Sequence, residues 1–302
     1  MPDREVKTIR DLIYFQYAKI GRRTRIGCRW IGKSESAKRE TLDDVNTNTG
    51  TGGFMRRILF FGFICLVLWL SNALGGTSIV VKDIDGTVYK TVTIGTQVWM
   101  AENFRATRFN DGTPIPCISS DSSWASITRP ARCWYKNDST LNNTVGFLYN
   151  GFAATSEKLA PPGWKVPSYE DWQLLESYLK SKGYGCEDTT GRKSSGKYLA
   201  SKSDWASTSN PGAVGNNSSL NNKSGFSAVP GGYRMDNTAQ NPDYHGKFYN
   251  IGGFSYWWCS DSKKPYAAML SYARNCIEME DCDGLGSGYS IRLVRKTKDA
   301  KR

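Results

Sequence analysis

The sequence predicts an α+β domain of short antiparallel strands, long loops and one or two helices, tied by disulfides. Three observations predict it. One well-signalled helix start stands at Pro167-Ser168-Tyr169-Glu170-Asp171-Trp172. Short runs of β-branched and aromatic residues, bounded by glycine and asparagine, recur on both sides of it. An even set of cysteines follows a short apolar run that reads as an export signal.

The helix is the clearest element. Pro167 cannot continue a strand ladder, and Ser168 is a natural N-cap. Asp171, three residues on, supplies a shortened capping-box partner and a negative charge beside the positive helix end. Trp172, Leu175 and Leu179 fall at i, i+3 and i+7 and form one apolar face. The helix is expected over about 168–182, ending at Lys182-Gly183, with Trp164 and Trp172 as anchors. Glu170 and Asp171 read as acids complementing the helix dipole rather than as a catalytic pair. A second short helix is expected over Gly196–Ser201.

Strands are expected in order around it. Ser78–Ile84 leads to the hairpin turn Asp85-Gly86, and Thr87–Ile94 returns with Val88, Lys90, Val92 and Ile94 on one face. Asp83-x-Asp85-Gly86 lacks the remaining ligands of a calcium loop and reads as a turn. Gln97–Met100 continues the strands, Asn103–Trp134 reads as irregular, and Gly146–Asn150 as a short strand. Asp204–Asn222, rich in Asn, Ser and Gly, reads as a long surface loop with little to bury. Phe226–Pro230, Gly231–Met235, Gly246–Ile251, Phe254–Ser260, Ala267–Tyr272 and Gly288–Val294 read as strands.

The net charge of +12 does not point to nucleic acid. Half of it lies in residues 1–57, which carry 13 Lys and Arg against 7 Asp and Glu, and no dense basic face remains beyond them. Met55-Arg56-Arg57, the uncharged run Ile58–Leu70 and the small-residue tail Ser71–Gly75 describe a signal peptide over 55–75. Cleavage after Ala73 or after Gly75 suits it. A signal peptide begins a protein, so Met55 is the expected start and residues 1–54 are expected to be untranslated, disordered or cytoplasmic. The alternative is a signal anchor with a basic tail, for which the apolar run is short. One extracytoplasmic domain is then expected over 76–296, with a disordered tail at 297–302. Membrane contact is expected only through the signal or anchor segment.

Export makes Cys117, Cys133, Cys186, Cys259, Cys276 and Cys282 disulfide candidates. Cys276 with Cys282 and Cys117 with Cys133 are the local closures, leaving Cys186 with Cys259. No CxxC pair exists and His245 is the single histidine, so no metal and no cofactor is expected. His245 sits in a polar loop, Asn241–Gly246, with no triad motif around it. The aromatic stock, 10 Trp and 16 Tyr, is more informative. Consecutive Trp257 and Trp258 point to opposite faces of a strand, so at most one is core on a one-sided sheet. With Tyr244 they are the candidate ligand contacts. Trp124 and Trp205, in polar loops, are weaker ones.

Several segments together resemble the "major paralogous domain" family named after Fibrobacter succinogenes. They are Asp85-Gly86, Tyr89–Asn103, Pro130–Tyr135, Gly146–Asn150, Pro162–Pro167 with Asp171-Trp172, Gly225–Ala228, Gly231–Arg234, Tyr256–Ser260 and Gly288–Arg292. The resemblance covers roughly residues 80–296 and implies an exported bacterial domain from plant-degrading or gut habitats. The helix start and the Gly-aromatic-x-x-Arg strand also look like parts of C-type-lectin-like folds, and the formylglycine-generating group has a similar helix start. The resemblance thus implies a C-type-lectin-like α+β fold. Ala160 and Leu293 stand where the family often has cysteines, as loss of one whole bridge would leave them. Gln240-Asn241-Pro242-Asp243 departs from the calcium-binding lectin loop by an extra residue, and no Trp-Asn-Asp follows.

The expected function is therefore a non-catalytic binding module, secreted or at the bacterial surface or periplasm, for polysaccharide or cell-envelope glycan. The alternatives are a structural or adhesive envelope protein contacting other proteins, and an enzyme of the formylglycine-generating-like group using Cys276 and Cys282.

Overall fold

The computed structural model describes residues 79–186, 194–261 and 264–296, and Gly75–Arg302 forms one compact unit. The expected signal segment with Ala73 and Gly75, the stretch 1–54 and the tail 297–302 lie outside the described residues.

The protein is mixed α+β, mostly sheet. In chain order its first strands are β1 (Val81–Lys82), β2 (Val88–Tyr89), β3 (Thr91–Ile94), β4 (Gln97–Met100), β5 (Arg132–Cys133), β6 (Leu148–Tyr149) and β7 (Trp164–Lys165). After them come β8 (Gly231–Arg234), β9 (Phe248–Ile251), β10 (Phe254–Trp258), β11 (Tyr266–Ser271), β12 (Ile277–Asp281) and β13 (Val294–Arg295). The helices are α1 (Asp121–Ala125), α2 (Gly151–Ala154), α3 (Tyr169–Ser181) and α4 (Ser195–Leu199). The strands make a five-stranded sheet, β12-β11-β10-β8-β9, a four-stranded sheet, β3-β4-β13-β7, and the pairs β1-β2 and β5-β6. Every pairing is antiparallel except β10 with β8.

The helix α3 starts as its sequence directs. Ser168 Oγ accepts from the Asp171 amide at 3.3 Å, and Asp171 Oδ2 accepts from the Ser168 amide at 2.8 Å. A further cap comes from far along the chain, where Asp261 Oδ2 accepts from the Tyr169 amide at 2.8 Å. Trp172, Leu175 and Leu179 are buried, and Trp172 packs 4.6 Å from Trp99 and 6.0 Å from Trp257 between ring centroids.

The central strands β10 and β11 of the five-stranded sheet are covered on both faces. Trp258, Tyr256 and Phe254 join one apolar cluster with Met269, while Trp257 joins the other with Trp172, Phe226 and Leu270. Trp164 belongs to the first cluster and Trp172 to the second, so the turn before α3 is pinned into both. Leu293 belongs to the first cluster and Ala160 packs against it. The centre carries a polar knot. Asn103 Oδ1 accepts from Trp257 Nε1 at 3.0 Å and from Arg292 Nε and Nη2 at 3.2 and 2.9 Å. Asn103 Nδ2 donates to Val145 O at 2.8 Å and Ser290 Oγ at 3.1 Å. Burial lowers the Arg292 pKa to about 9, which leaves the group charged at neutral pH.

Several expectations are corrected. The disulfide is Cys186–Cys276, spanning 90 residues, not Cys276–Cys282 or Cys186–Cys259. Cys276 and Cys282 flank the ends of β12, and an extended strand at about 3.3 Å per residue holds them apart. Asn275 brings Cys276 to its partner: its carbonyl accepts from the Gly196 amide at 2.9 Å and its side chain donates to the Cys186 carbonyl. Cys117, Cys133, Cys259 and Cys282 stand as thiols. The segment Asp204–Asn222 is not mere surface, since Trp205, Ala213, Val214 and Asn221 are buried. Its loop is anchored by Lys197, whose Nζ donates to the carbonyls of Ala213, Asn216 and Asn217. Val88 and Lys90 face outward while Ile94 is buried, because the expected single strand breaks at Lys90 and its halves join different sheets. Phe226–Pro230 is not a strand, α1 stands in the stretch read as irregular, and β12 was not foreseen.

Candidate functional site

The structure does not bring the three aromatic candidates together. Trp257 and Trp258 are both fully buried. The Trp258 indole donates to Tyr149 O at 2.8 Å, and the Trp257 indole serves the Asn103 knot. Two-sided cover of β10 makes both of them core, so neither presents a face to a ligand. Trp124 is fully buried, and Trp205 is buried with its indole donating to Ala228 O at 3.1 Å. Tyr244 alone is half-buried, its ring edge-on to Tyr249 at 5.8 Å.

Its chain neighbours Asp243 and His245, but not Tyr244 itself, line an open recess of about 580 Å³. The recess is bounded by α1 with Asp121 and Ser126, by the loop residues Asn237 and Asp243, and by His245 and Lys247. Each wall has a local cause. Ser120 caps α1, its Oγ accepting from the Ser123 amide at 3.3 Å. Asn241 caps the single turn Pro242–Tyr244, its Oδ1 accepting from the Asp243 amide at 3.0 Å. Asp236 Oδ1 accepts from the Thr238 amide and hydroxyl at 3.0 and 2.6 Å, which turns the chain after β8. Gly246 then lies so close to α1, at φ +69°, that a Cβ there would stand 2.1 Å from the Asp121 carbonyl oxygen.

Beneath the recess lies Arg234, a fully buried cation at the end of β8. Its Nε donates to Gly246 O at 2.8 Å, Nη1 to Ile118 O at 2.6 Å, and Nη2 to Ser119 O at 2.9 Å and Asp121 Oδ1 at 3.0 Å. Its planar face stacks between Trp124 and Phe248, 4.7 and 4.4 Å from their ring centroids. The other Asp121 oxygen accepts from Lys247 Nζ at 2.6 Å. Burial pushes the Asp121 carboxyl up, but hydrogen bonds from Lys247 and Arg234 outweigh it and hold the pKa below 3.8.

The polar groups lining the recess are engaged with the backbone and with one another. His245 Nε2 lies 2.9 Å from Ala239 O, so in the neutral ring it carries the proton and donates, leaving Nδ1 as an acceptor. The Ser126 hydroxyl donates to Ser122 O at 3.0 Å, and Ser122 Oγ shares a hydrogen bond with Ser120 Oγ at 3.1 Å. Both serines are therefore engaged away from His245, and no serine–histidine pair is formed. Among the described residues, no group of three His, Cys, Asp or Glu side chains converges as metal donors. Cys276 is bridged to Cys186, so it does not pair with Cys282 as a reactive couple.

Sequence reasoning passed over Asp121, Asn237 and Lys247. The ion pair of Asp121 with Lys247 spans 126 residues, a relation that no local pattern carries. Arg234 lay inside the quoted Gly231–Arg234 segment but without a role. The sequence did single out Pro242 and Asp243, though as a failed lectin loop.

No curated protein and no solved structure matches the chain. A family model, described as the Fibrobacter succinogenes major domain, matches residues 92–295. That span holds the recess, the Asn103–Arg292 knot and most of both sheets, and the chain belongs to the Fibrobacter succinogenes major domain family.

Proposed function

We propose that this domain is a non-catalytic binding module that takes polysaccharide or cell-envelope glycan in the recess between α1 and the Asn237–Lys247 loop. The observation that carries the reading is the recess itself: open, walled by carboxylate, amide, imidazole and ammonium groups, and set on an immobilised Arg234 floor. Such a surface offers hydroxyl groups both donors and acceptors without a nucleophile–base pair. The module is exported in this proposal, secreted or held at the bacterial surface or periplasm. Its C-type-lectin-like kinship also belongs to the proposal, supported by the capped α3 helix in a domain of short strands and long loops.

The test is retention of the recombinant protein on a panel of insoluble polysaccharides and envelope glycans. Wild type is expected to be retained on at least one, and Asp243→Ala and Lys247→Ala to weaken that retention. No retention on any glycan, or equal retention of both variants, rejects the reading.

A second reading, an adhesive contact with another protein, is favoured by one feature. Val80, Ile84 and Val88 are exposed together on the β1–β2 hairpin, at 56%, 40% and 54%. Crosslinking that is lost in a Val80→Ser/Val88→Ser variant would favour it over glycan binding.

A further inference from the structure

The β5–β6 ribbon carries a second surface, turned away from the recess. Arg132 pairs with Tyr149 and Cys133 with Leu148 across it, and strand alternation sends these two pairs to opposite faces. Cys133 and Leu148 join the cluster of Trp124 in α1, whereas Phe147 and Tyr149 join the large core cluster, with Trp134 packed against it. Arg132 and Trp134 share that second face. The Arg132 guanidinium lies 4.2 Å from the Phe147 ring centroid and 5.8 Å from that of Trp134, and the two rings are 5.3 Å apart. Among the described residues Trp134 is the one tryptophan that is not buried, and Arg132 is half-buried like it. Two N–H groups lie just under this surface without an acceptor, Arg132 Nη1 and Trp134 Nε1. Trp124 and Trp172 also hold an unpaired indole N–H, but inside the closed core. Arg132 is loosely held as well. Among the described residues its side chain makes one hydrogen bond, from Nε to Ile115 O at 3.1 Å, and no ion pair. The fully buried guanidinium groups of Arg234 and Arg292 make four hydrogen bonds each. A half-buried cation with so few partners, next to a second unpaired donor, lacks an oxyanion.

We propose that Arg132 and Trp134 form a subsite for a sugar carboxylate, a uronic acid residue of an acidic polysaccharide. The carboxylate accepts from the Arg132 guanidinium and from the Trp134 indole. Its two oxygens offer enough lone pairs to take both donors at once. The guanidinium turns outward to meet it, because only the Ile115 contact ties it down. Trp134 adds apolar ring surface against which a sugar ring packs. Lys136, exposed and two residues further on, brings a second positive charge to the same end of the ribbon. Neutral sugars leave the guanidinium without a counter-charge, so the subsite selects the acid. It shares with the proposed function only the class of ligand, a glycan, and does not rest on the recess being a binding site.

The experiment titrates the isotope-labelled full chain with tetragalacturonate at low salt, using its methyl ester as the neutral control. Calorimetry reads affinity, and the indole N–H resonances read place, that of Trp134 being assigned by its loss in Trp134→Phe. The acid is expected to bind and to move the Trp134 resonance, and the ester to bind on the order of tenfold more weakly. Arg132→Gln is expected to lose affinity for the acid on the order of tenfold, and Trp134→Phe, which keeps a ring and removes the N–H, about threefold. Lys247→Ala, in the recess wall, is expected to bind the acid as wild type does. No binding of the acid, or equal binding of acid and ester, overturns the proposal. So does a loss in Lys247→Ala with Arg132→Gln and Trp134→Phe unchanged, which assigns the acid to the recess. Should Arg132→Gln fail to fold, Trp134→Phe and the ester comparison decide. Equal retention of the recess variants on polysaccharides rejects the recess and leaves this subsite standing.

Discussion

Replacing Arg234 by Met tests the floor of the recess most directly. The change keeps most of the stem and removes a guanidinium that makes four hydrogen bonds and lies between two rings. Hydrogen bonds from a charged donor are worth about 1.5–3 kcal/mol each, which sets a gross loss of roughly 6–12 kcal/mol. The variant is spared the cost of burying a cation, several kcal/mol in an interior of this kind. The carbonyls of Gly246, Ile118 and Ser119 lose their donor, while Asp121 keeps Lys247. The difference leaves a destabilisation of about 3–5 kcal/mol, comparable to breaking other buried charge networks. That is a large part of the total stability of a typical domain, about 5–15 kcal/mol. Urea unfolding followed by tryptophan fluorescence measures it, with the midpoint falling and the slope unchanged. Arg234→Lys is expected to recover only part of the loss, because an ammonium cannot reach three carbonyls as a planar fork. If Arg234→Met unfolds within about 1 kcal/mol of wild type, the floor is not held by this side chain and the reasoning fails.

Two further outcomes follow from the same contacts. Asn103→Ala strips one acceptor from Trp257 Nε1 and from Arg292, which keeps only the carbonyls of Phe226 and Ser227, and is expected to cost about 4 kcal/mol; a loss near zero in the same urea assay would mean that the knot repacks. Acid should loosen the recess, because Asp121 is held below its ordinary pKa and its contribution, complete above about pH 4, is lost as pH falls through the lowered value. Asp85 is shifted down too: burial opposes the shift, and hydrogen bonds from Thr107 and Arg108 win, so it contributes in the same window. Asp121→Asn should therefore flatten the acid loss of stability without abolishing it, and an unchanged profile in urea midpoints between pH 6 and pH 3 would remove Asp121 from the account.

Much of the architecture was legible because it rests on local chemistry. The α3 start needed only Pro167, Ser168 and Asp171, and each makes the contact that its neighbours in sequence allow. The hairpin turn at Asp85-Gly86 and the strands β8 to β11 follow from turn residues and alternation in the same way. β12 escaped although Ile277 and Met279 alternate with Glu278 and Glu280, because its three acids are poor strand formers, and its pairing with β11 makes it a strand. Helix α1 escaped because five residues carry too little periodicity to register.

What the sequence by itself determined was the α+β class, the capped helix and the family segments, all set within a few residues of one another. What only the tertiary structure decided was which aromatics are core, which cysteines meet and where a ligand could sit. Trp257 and Trp258 had to face opposite ways by strand geometry alone, but whether both faces are covered depends on α3 and on the segments packed beneath the other face. Cys186 found Cys276 through a turn 90 residues away. The recess exists because Arg234 gathers carbonyls and a carboxylate more than 110 residues earlier in the chain, and no local signal encodes a meeting at that separation.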